Sequence, residues 1–189
     1  KKYEEKGQPA DSRAILIDGM VQLCSDLDVD PSDTALLVLS WRCEAGRTCK
    51  FTESEFTEGL ERLGCDSIEA LKKQLPSLRG ELEKADSHKE IYQYTYDWAK
   101  EEGQKSLSLE MAVGLWQLLL TGKFALLDDW CSFVTEHAEK RPVPKDVWNM
   151  LLDFSTEVKS DLSNYDPYGS WPTMIDEFVD WYKEEKGLD

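Results

Sequence analysis

Two segments limit the possible folds of this chain more than any others. PSDTALLVLSWRCEAG, residues 31–46, holds a nearly continuous apolar run, and LEMAVGLWQLLLTG, residues 109–122, is apolar almost all the way round a helix. A surface helix shows one apolar stripe, whereas a helix apolar on every side must be covered by neighbours. Both segments are therefore read as central helices. The remaining segments also follow helical period, and capping chemistry marks their boundaries.

Asp18 is placed to cap a helix with Met20, Val21, Cys24 and Leu27 on one stripe. Ser32 or Asp33 caps the next, with Gly46 as its terminator. TESE, residues 52–55, matches a capping box, and opens a helix with Phe56, Leu60 and Leu63 inside and Gly64 at its end. Asp66 with Glu69 opens the segment that follows, which Pro76 is expected to kink or split. Ser87 with Glu90 forms a second capping box, and Ser108 opens the second central helix. LLDDWCSFVTEH continues the series, and Pro144 and Pro172 suit first-turn positions of the last two helices. In the last helix Ile175, Phe178, Val179 and Tyr182 face inward, leaving Asp176 and Asp180 outside. The expectation is an all-α fold of nine or ten helices with no convincing strand, in two packed helical lobes, 1–103 and 104–189, joined near EEGQKS at 101–106.

Charge narrows the partners. The 189 residues carry 38 Asp and Glu against 22 Lys and Arg, a net charge of −16. Such a field repels phosphate backbones and anionic lipid, disfavouring nucleic acid, and attracts basic surfaces. No apolar stretch reaches the about 18 residues of a membrane span, and KKYEEKGQPADSR at the start lacks the apolar core of a secretion signal. The chain reads as soluble and intracellular, with Lys1 as a boundary that leaves any upstream module open.

The residue types that carry catalytic and metal chemistry do not fall into working patterns. The five cysteines, Cys24, Cys43, Cys49, Cys65 and Cys131, contain no CxxC pair and read as reduced, mostly buried thiols. Asp26, Asp28 and Asp30 have the spacing of an EF-hand calcium loop, but Pro31 stands where the loop needs glycine and Leu37 where it needs a bidentate glutamate. NYDPYGSWPTMI from Asn164 fails at its last position, Ile175. His88 and His137 read as solvated surface residues, and Cys131 and His137, six apart on a helix, point to different faces. No nucleophile elbow, phosphate loop or zinc-protease motif occurs. The expectation is a protein without catalytic residues, cofactor or metal.

The segment VPKDVWNMLLDFSTEVKSDLSNYDPYGSWPTMIDEFVDW, with IDGMVQLCSDLDVDP, LVLSWRCEA, FTESEFTEGLERLGCDSIEAL and GQKSLSLEMAV, resembles the potentiating-neddylation (PONY) domain of the "defective in cullin neddylation" family over practically the whole chain. The resemblance implies a two-lobed helical fold with degenerate EF-hand-like helix pairs that do not need calcium. It further implies a monomeric scaffold, cytoplasmic and nuclear, that promotes transfer of a ubiquitin-like modifier from its conjugating enzyme to a cullin lysine by holding donor and acceptor together.

Two surfaces are implied by that resemblance. One is an acidic patch facing the winged-helix region at the cullin C-terminus, carried here by Asp146, Ser170 and Asp176, with Ser170 standing where relatives often have alanine. The other is a pocket for the N-terminally acetylated methionine of the conjugating enzyme. Its positions map onto Ile17, Met20, Leu36, Leu39, Ser40, Cys43, Ala45, Cys49, Phe51, Trp98, Leu115 and Leu118, where Leu115 departs from a common tyrosine and Cys43 from a common phenylalanine. Acetylation has a physical rationale: an uncapped ammonium pays roughly several kcal/mol to enter an apolar site. A buried methionine side chain contributes about 1.5–3 kcal/mol. On residues alone these apolar positions read as ordinary core. The competing function is a non-catalytic EF-hand-like adaptor or calcium-binding module.

Overall fold

The computed structural model describes residues 13–137 and 141–188. The opening stretch at 1–12 lies outside them. A break after Ala99 divides the chain into two compact units. The first contains β1 (Ala14–Ile15), α1 (Ile17–Leu27), α2 (Thr34–Arg42), β2 (Phe51–Thr52), α3 (Glu53–Arg62), α4 (Ile68–Glu81) and α5 (Ala85–Ala99); the second contains α6 (Leu109–Leu120), α7 (Leu127–Glu136), α8 (Lys145–Glu157) and α9 (Thr173–Lys186). The fold is all-α, with nine helices among the described residues. The short β1–β2 antiparallel pairing, Ala14 opposite Thr52 and Ile15 opposite Phe51, was not expected. A strand of two residues is too short to show alternation, so it leaves no periodic signal.

In the first unit α2 is central as its composition demands: Ala35 to Ser40 are all buried, and α3, α4 and α5 pack against the helix. The Asp33 carboxylate caps it, accepting from the Ala35 amide at 2.9 Å. The capping box at α3 forms in full, with the Thr52 amide donating to Glu55 at 2.7 Å and the Glu55 amide donating to Thr52 Oγ1 at 3.3 Å. Gly64 beyond it has φ 66°, a left-handed conformation that favours glycine. Phe56, Leu60 and Leu63 are only half-buried.

Several boundaries differ from the sequence expectation. The α1 N-cap is Leu16, so Asp18 lies inside the first turn. That phase makes Gly19, Leu23, Cys24 and Leu27 the inner face, keeping the expected Cys24 and Leu27, and leaves Val21 58% exposed. The reversal after α2 occurs at Glu44, φ 52°, rather than at Gly46; its amide donates to Trp41 O, and Arg62 holds its carboxylate at 2.6 Å. Ser67, not Asp66, caps α4 by accepting from the Ala70 amide. Pro76 neither ends nor splits α4, because the Leu71, Leu75 and Leu78 stripe packs against α1 and α2 and outweighs one missing backbone bond. Ser87 donates instead to Glu81 at 2.7 Å, and α5 already begins at Ala85. His88 consequently shares a face with Ile91, Tyr92 and Thr95 and is buried, correcting its reading as a surface histidine. His137 is exposed.

The second unit is built on aromatic layers. Trp148 stacks on Trp116 at 5.6 Å between centroids, and Trp130 meets Trp116 edge-on at 5.3 Å. Phe178 of α9 contacts Trp130, Phe133 and Phe154. Ser108 caps α6 by accepting from the Met111 amide. Pro144 and Pro172 occupy the N-cap positions of α8 and α9, one residue before the first turn. Ile175, Phe178 and Val179 are buried, while Tyr182 is half-buried. No helix among the described residues is long and apolar enough to cross a membrane.

Candidate functional site

Asp146 and Asp176 sit in the first turns of α8 and α9, two helices that pack against each other within the second unit. A carboxylate in a first helical turn is stabilised by the exposed backbone amides and the helix dipole. Asp146 is exposed; Asp176 is half-buried and accepts a short hydrogen bond from the Tyr165 hydroxyl. Burial, and then that bond to Asp176, push the Tyr165 phenol above its ordinary range, so it stays a donor. Ser170 is exposed in the loop before α9. It lines a cleft of about 520 Å³ with Met150, Asp153, Glu157, Asp166 and Trp171.

This loop is held by its own polar groups. Asn164 accepts from the Lys159 amide and donates to Glu157 O, both at 2.8 Å. The Asp166 carboxylate accepts from the Tyr168 amide at 2.9 Å, and the Gly169 amide donates to Asp166 O at 3.0 Å. At Gly169 a Cβ would lie 3.0 Å from both Asp166 O and Trp171 Nε1. The loop is thus clamped between its own carbonyl and the Trp171 ring.

The expected pocket positions are distributed differently. Ten fall in the first unit, while Leu115 and Leu118 belong to the second. Leu36, Leu39, Ser40, Cys43, Ala45 and Phe51 are buried. Met20 and Trp98 are half-buried, and Cys49 is exposed. Ile17 is 65% exposed. Burial pushes the Cys43 thiol up to about 12. Ser40 Oγ donates to Leu36 O at 2.9 Å, returning its hydroxyl to the helix backbone. Leu115 is buried and Leu118 is 36% exposed.

The first unit also contains a cleft of about 850 Å³, and of the expected pocket positions only Ala45 and Trp98 line it. Its remaining wall includes Trp41, Arg42, Arg62, Glu90, Tyr94 and Asp97, none of which was expected at a binding site. A signal was present on α5, since Glu90, Tyr94, Asp97 and Trp98 follow one helical face. Tyr94 donates to Ala45 O at 2.7 Å and Trp98 O accepts from the Thr48 amide at 2.9 Å, so α5 ties down the turn that bears Ala45. The Trp98 Nε1 is itself buried and has no hydrogen-bond partner. The Arg42 guanidinium lies over the Trp41 ring at 4.5 Å and pairs with Glu81 at 3.2 Å. Lys84, Ser87 and Arg42 together hold the Glu81 carboxyl below its usual range, with the Lys84 hydrogen bond the largest influence.

The chain is thus all-helical among the described residues, with first-turn carboxylates on two packed helices of its second unit. Residues 70–181 match the family model described as "Cullin binding", and the chain belongs to that family. It is 41% identical over 177 residues to DCN1-like protein 3 of Xenopus laevis and 39% identical over the same length to DCN1-like protein 3 of Homo sapiens. The match to each covers 92% of this chain and 58% of the relative. Against DCN1-like protein 3 of Drosophila melanogaster it is 39% identical over 186 residues, 97% of this chain and 55% of the relative. The chain therefore spans little more than half the length of these relatives.

Proposed function

We propose that this chain is a non-catalytic scaffold for cullin neddylation, binding the winged-helix region at the cullin C-terminus through the second unit and an N-acetylated conjugating enzyme through the first. The observation that carries this reading is family membership over 70–181, a span that contains Asp146, Ser170 and Asp176. Between residues 145 and 180 there are eight carboxylates against two lysines, a charge balance suited to a basic partner surface. Such charge pairs set registry and on-rate more than raw affinity. The scaffold would raise the effective concentration of the modifier-loaded enzyme at the cullin lysine, an effect that needs no catalytic residue of its own.

For the conjugating enzyme, the cleft at Ala45 and Trp98 supports the reading best. It offers an aromatic wall of Trp41, Tyr94 and Trp98 for an apolar side chain. An acetyl amide enters such a site without bringing a buried charge.

Charge reversal at Asp146 and Asp176 together should abolish binding of the cullin region, measured by isothermal titration, while leaving the affinity for an acetylated conjugating-enzyme peptide intact. Unchanged cullin affinity in that double variant would refute the surface. Equal affinity for the acetylated and unacetylated peptides, or titratable calcium binding, would refute the neddylation reading in favour of a general helical adaptor.

A further inference from the structure

The cleft beside Ser170 has a feature that the three acidic-patch positions do not explain. Tyr168 is 96% exposed, on the same turn whose Asp166 and Gly169 line the cleft. An aromatic ring left this open loses apolar hydration only if a partner covers it. Its backbone is already fixed, because the Tyr168 amide is bonded to the Asp166 carboxylate and Gly169 is clamped against Trp171. Presenting a ring from a fixed turn lowers the ordering cost of an interface.

The cleft offers an apolar wall from Met150 and Trp171 with carboxylates at Asp153, Glu157 and Asp166. A long side chain with a methylene stem and a cationic head matches both parts: the stem lies on the wall and the head meets the carboxylates. The exposed Tyr168 ring, on the turn that bears Asp166 and Gly169, is a cation–π partner for such a head. All of these residues lie within the span that matches the cullin-binding family, and Ser170 makes the cleft continuous with the proposed cullin-facing surface.

We infer that this cleft is a receptor for a lysine or arginine side chain of the basic partner surface, and that Tyr168, on the adjoining turn, is an affinity-determining contact. The inference rests on the proposed cullin-binding reading of the second unit. It assigns to Asp153, Glu157 and Tyr168 a role separate from that of Asp146 and Asp176.

The test is titration of the cullin winged-helix region into the wild-type chain and into Tyr168→Phe, Tyr168→Leu, Asp153→Asn/Glu157→Gln and Asp146→Lys/Asp176→Lys. Tyr168→Phe should stay within about twofold of wild type, since the ring face is retained, whereas Tyr168→Leu should lose roughly fivefold. Asp153→Asn/Glu157→Gln should lose about tenfold and show a shallower dependence on salt. Unchanged thermal unfolding in the Tyr168 and Asp153→Asn/Glu157→Gln variants ties the loss to contact rather than fold. Wild-type affinity in both Tyr168→Leu and Asp153→Asn/Glu157→Gln, with binding lost in Asp146→Lys/Asp176→Lys, overturns the cleft and leaves the cullin-facing surface standing. Absence of binding by the wild-type chain overturns both.

Discussion

Gly59 is the position where one added carbon atom should cost most. It is buried in α3, and a Cβ built there would lie 2.7 Å from Cys43 Cα and 2.8 Å from Cys43 Cβ, and would also strike the Cys43 thiol. Two effects oppose each other in Gly59→Ala. Helix propensity favours alanine by about 1 kcal/mol. Overpacking costs about 1–3 kcal/mol, and the upper end applies because behind the nearest atom, the thiol, lie Cys43 Cα and Cβ, which cannot rotate away. Clash wins, with a net loss of about 2 kcal/mol. Urea unfolding followed by tryptophan fluorescence should show the midpoint falling by about 1 M for an m-value of about 2 kcal/mol/M. Gly114→Ala in α6 is the control, because a Cβ there meets nothing within 4 Å. That variant should gain about 0.5–1 kcal/mol. If Gly59→Ala proves as stable as Gly114→Ala, the close approach of α3 to Cys43 is not what requires glycine. Cys43→Ala should restore only part of the loss, since it removes the thiol and leaves the backbone carbon of residue 43 in the way.

Asp33 joins a helix cap to an ion pair, which gives stability a pH signature. A hydrogen bond from Arg79, followed by the Ala35 amide, holds its carboxyl below the usual carboxylate range despite partial burial. The stabilisation is therefore present above the unfolded carboxyl range near 3.8 and is lost as pH falls through the lower folded value. Asp33→Ala should cost about 1 kcal/mol from the cap, and Asp33→Asn should retain the cap while flattening the acid limb of a pH–stability curve. Among the thiols, Cys49 is exposed whereas burial pushes Cys43 up to about 12 and Cys131 up to about 11. Iodoacetamide at pH 8 should label the native chain at Cys49, as read by mass spectrometry of digested peptides; rapid labelling of Cys43 would contradict its burial.

The central helices were legible in the sequence because continuous apolar faces have few structural solutions. Ala35–Ser40 had to be enclosed, and is. Caps were legible where one donor–acceptor pair had no competitor, as at Thr52 and Ser108. They were ambiguous where acidic residues supplied too many acceptors. With 38 Asp and Glu, a serine or aspartate followed three residues later by a carboxylate arises repeatedly. Asp66 and Ser67 compete for one helix, and at Ser87 the match is unused because its hydroxyl reaches back to Glu81. His88 followed that error: shifting the start of α5 to Ala85 turns the histidine onto the inner face. The cleft walls were illegible for another reason. Trp41 and Tyr94 share one cleft, and Met150 and Trp171 the other, only through the packing of elements distant in sequence.

The segment SNYDPYGSWPTMIDEFVDWY shows how a carboxylate can be ordered by a ring instead of a cation. Trp171 sits edge-on to Phe154 at 5.6 Å and stacks with Tyr165 at 6.4 Å. Phe154 in turn meets Phe178, which is fully buried. The aromatic layer thus reaches from the core of the second unit to the loop, and its outermost member, Tyr165, ends in a hydroxyl that donates to Asp176. A tyrosine fixes a carboxylate without neutralising it, whereas a lysine or arginine at the same place would cancel the charge. Asp180, one turn beyond Asp176, is exposed, and Tyr168 is left outside the layer altogether. Aromatic and acidic residues therefore share this segment because the rings set the position of Asp176 without neutralising it, as the proposed cullin-facing role requires.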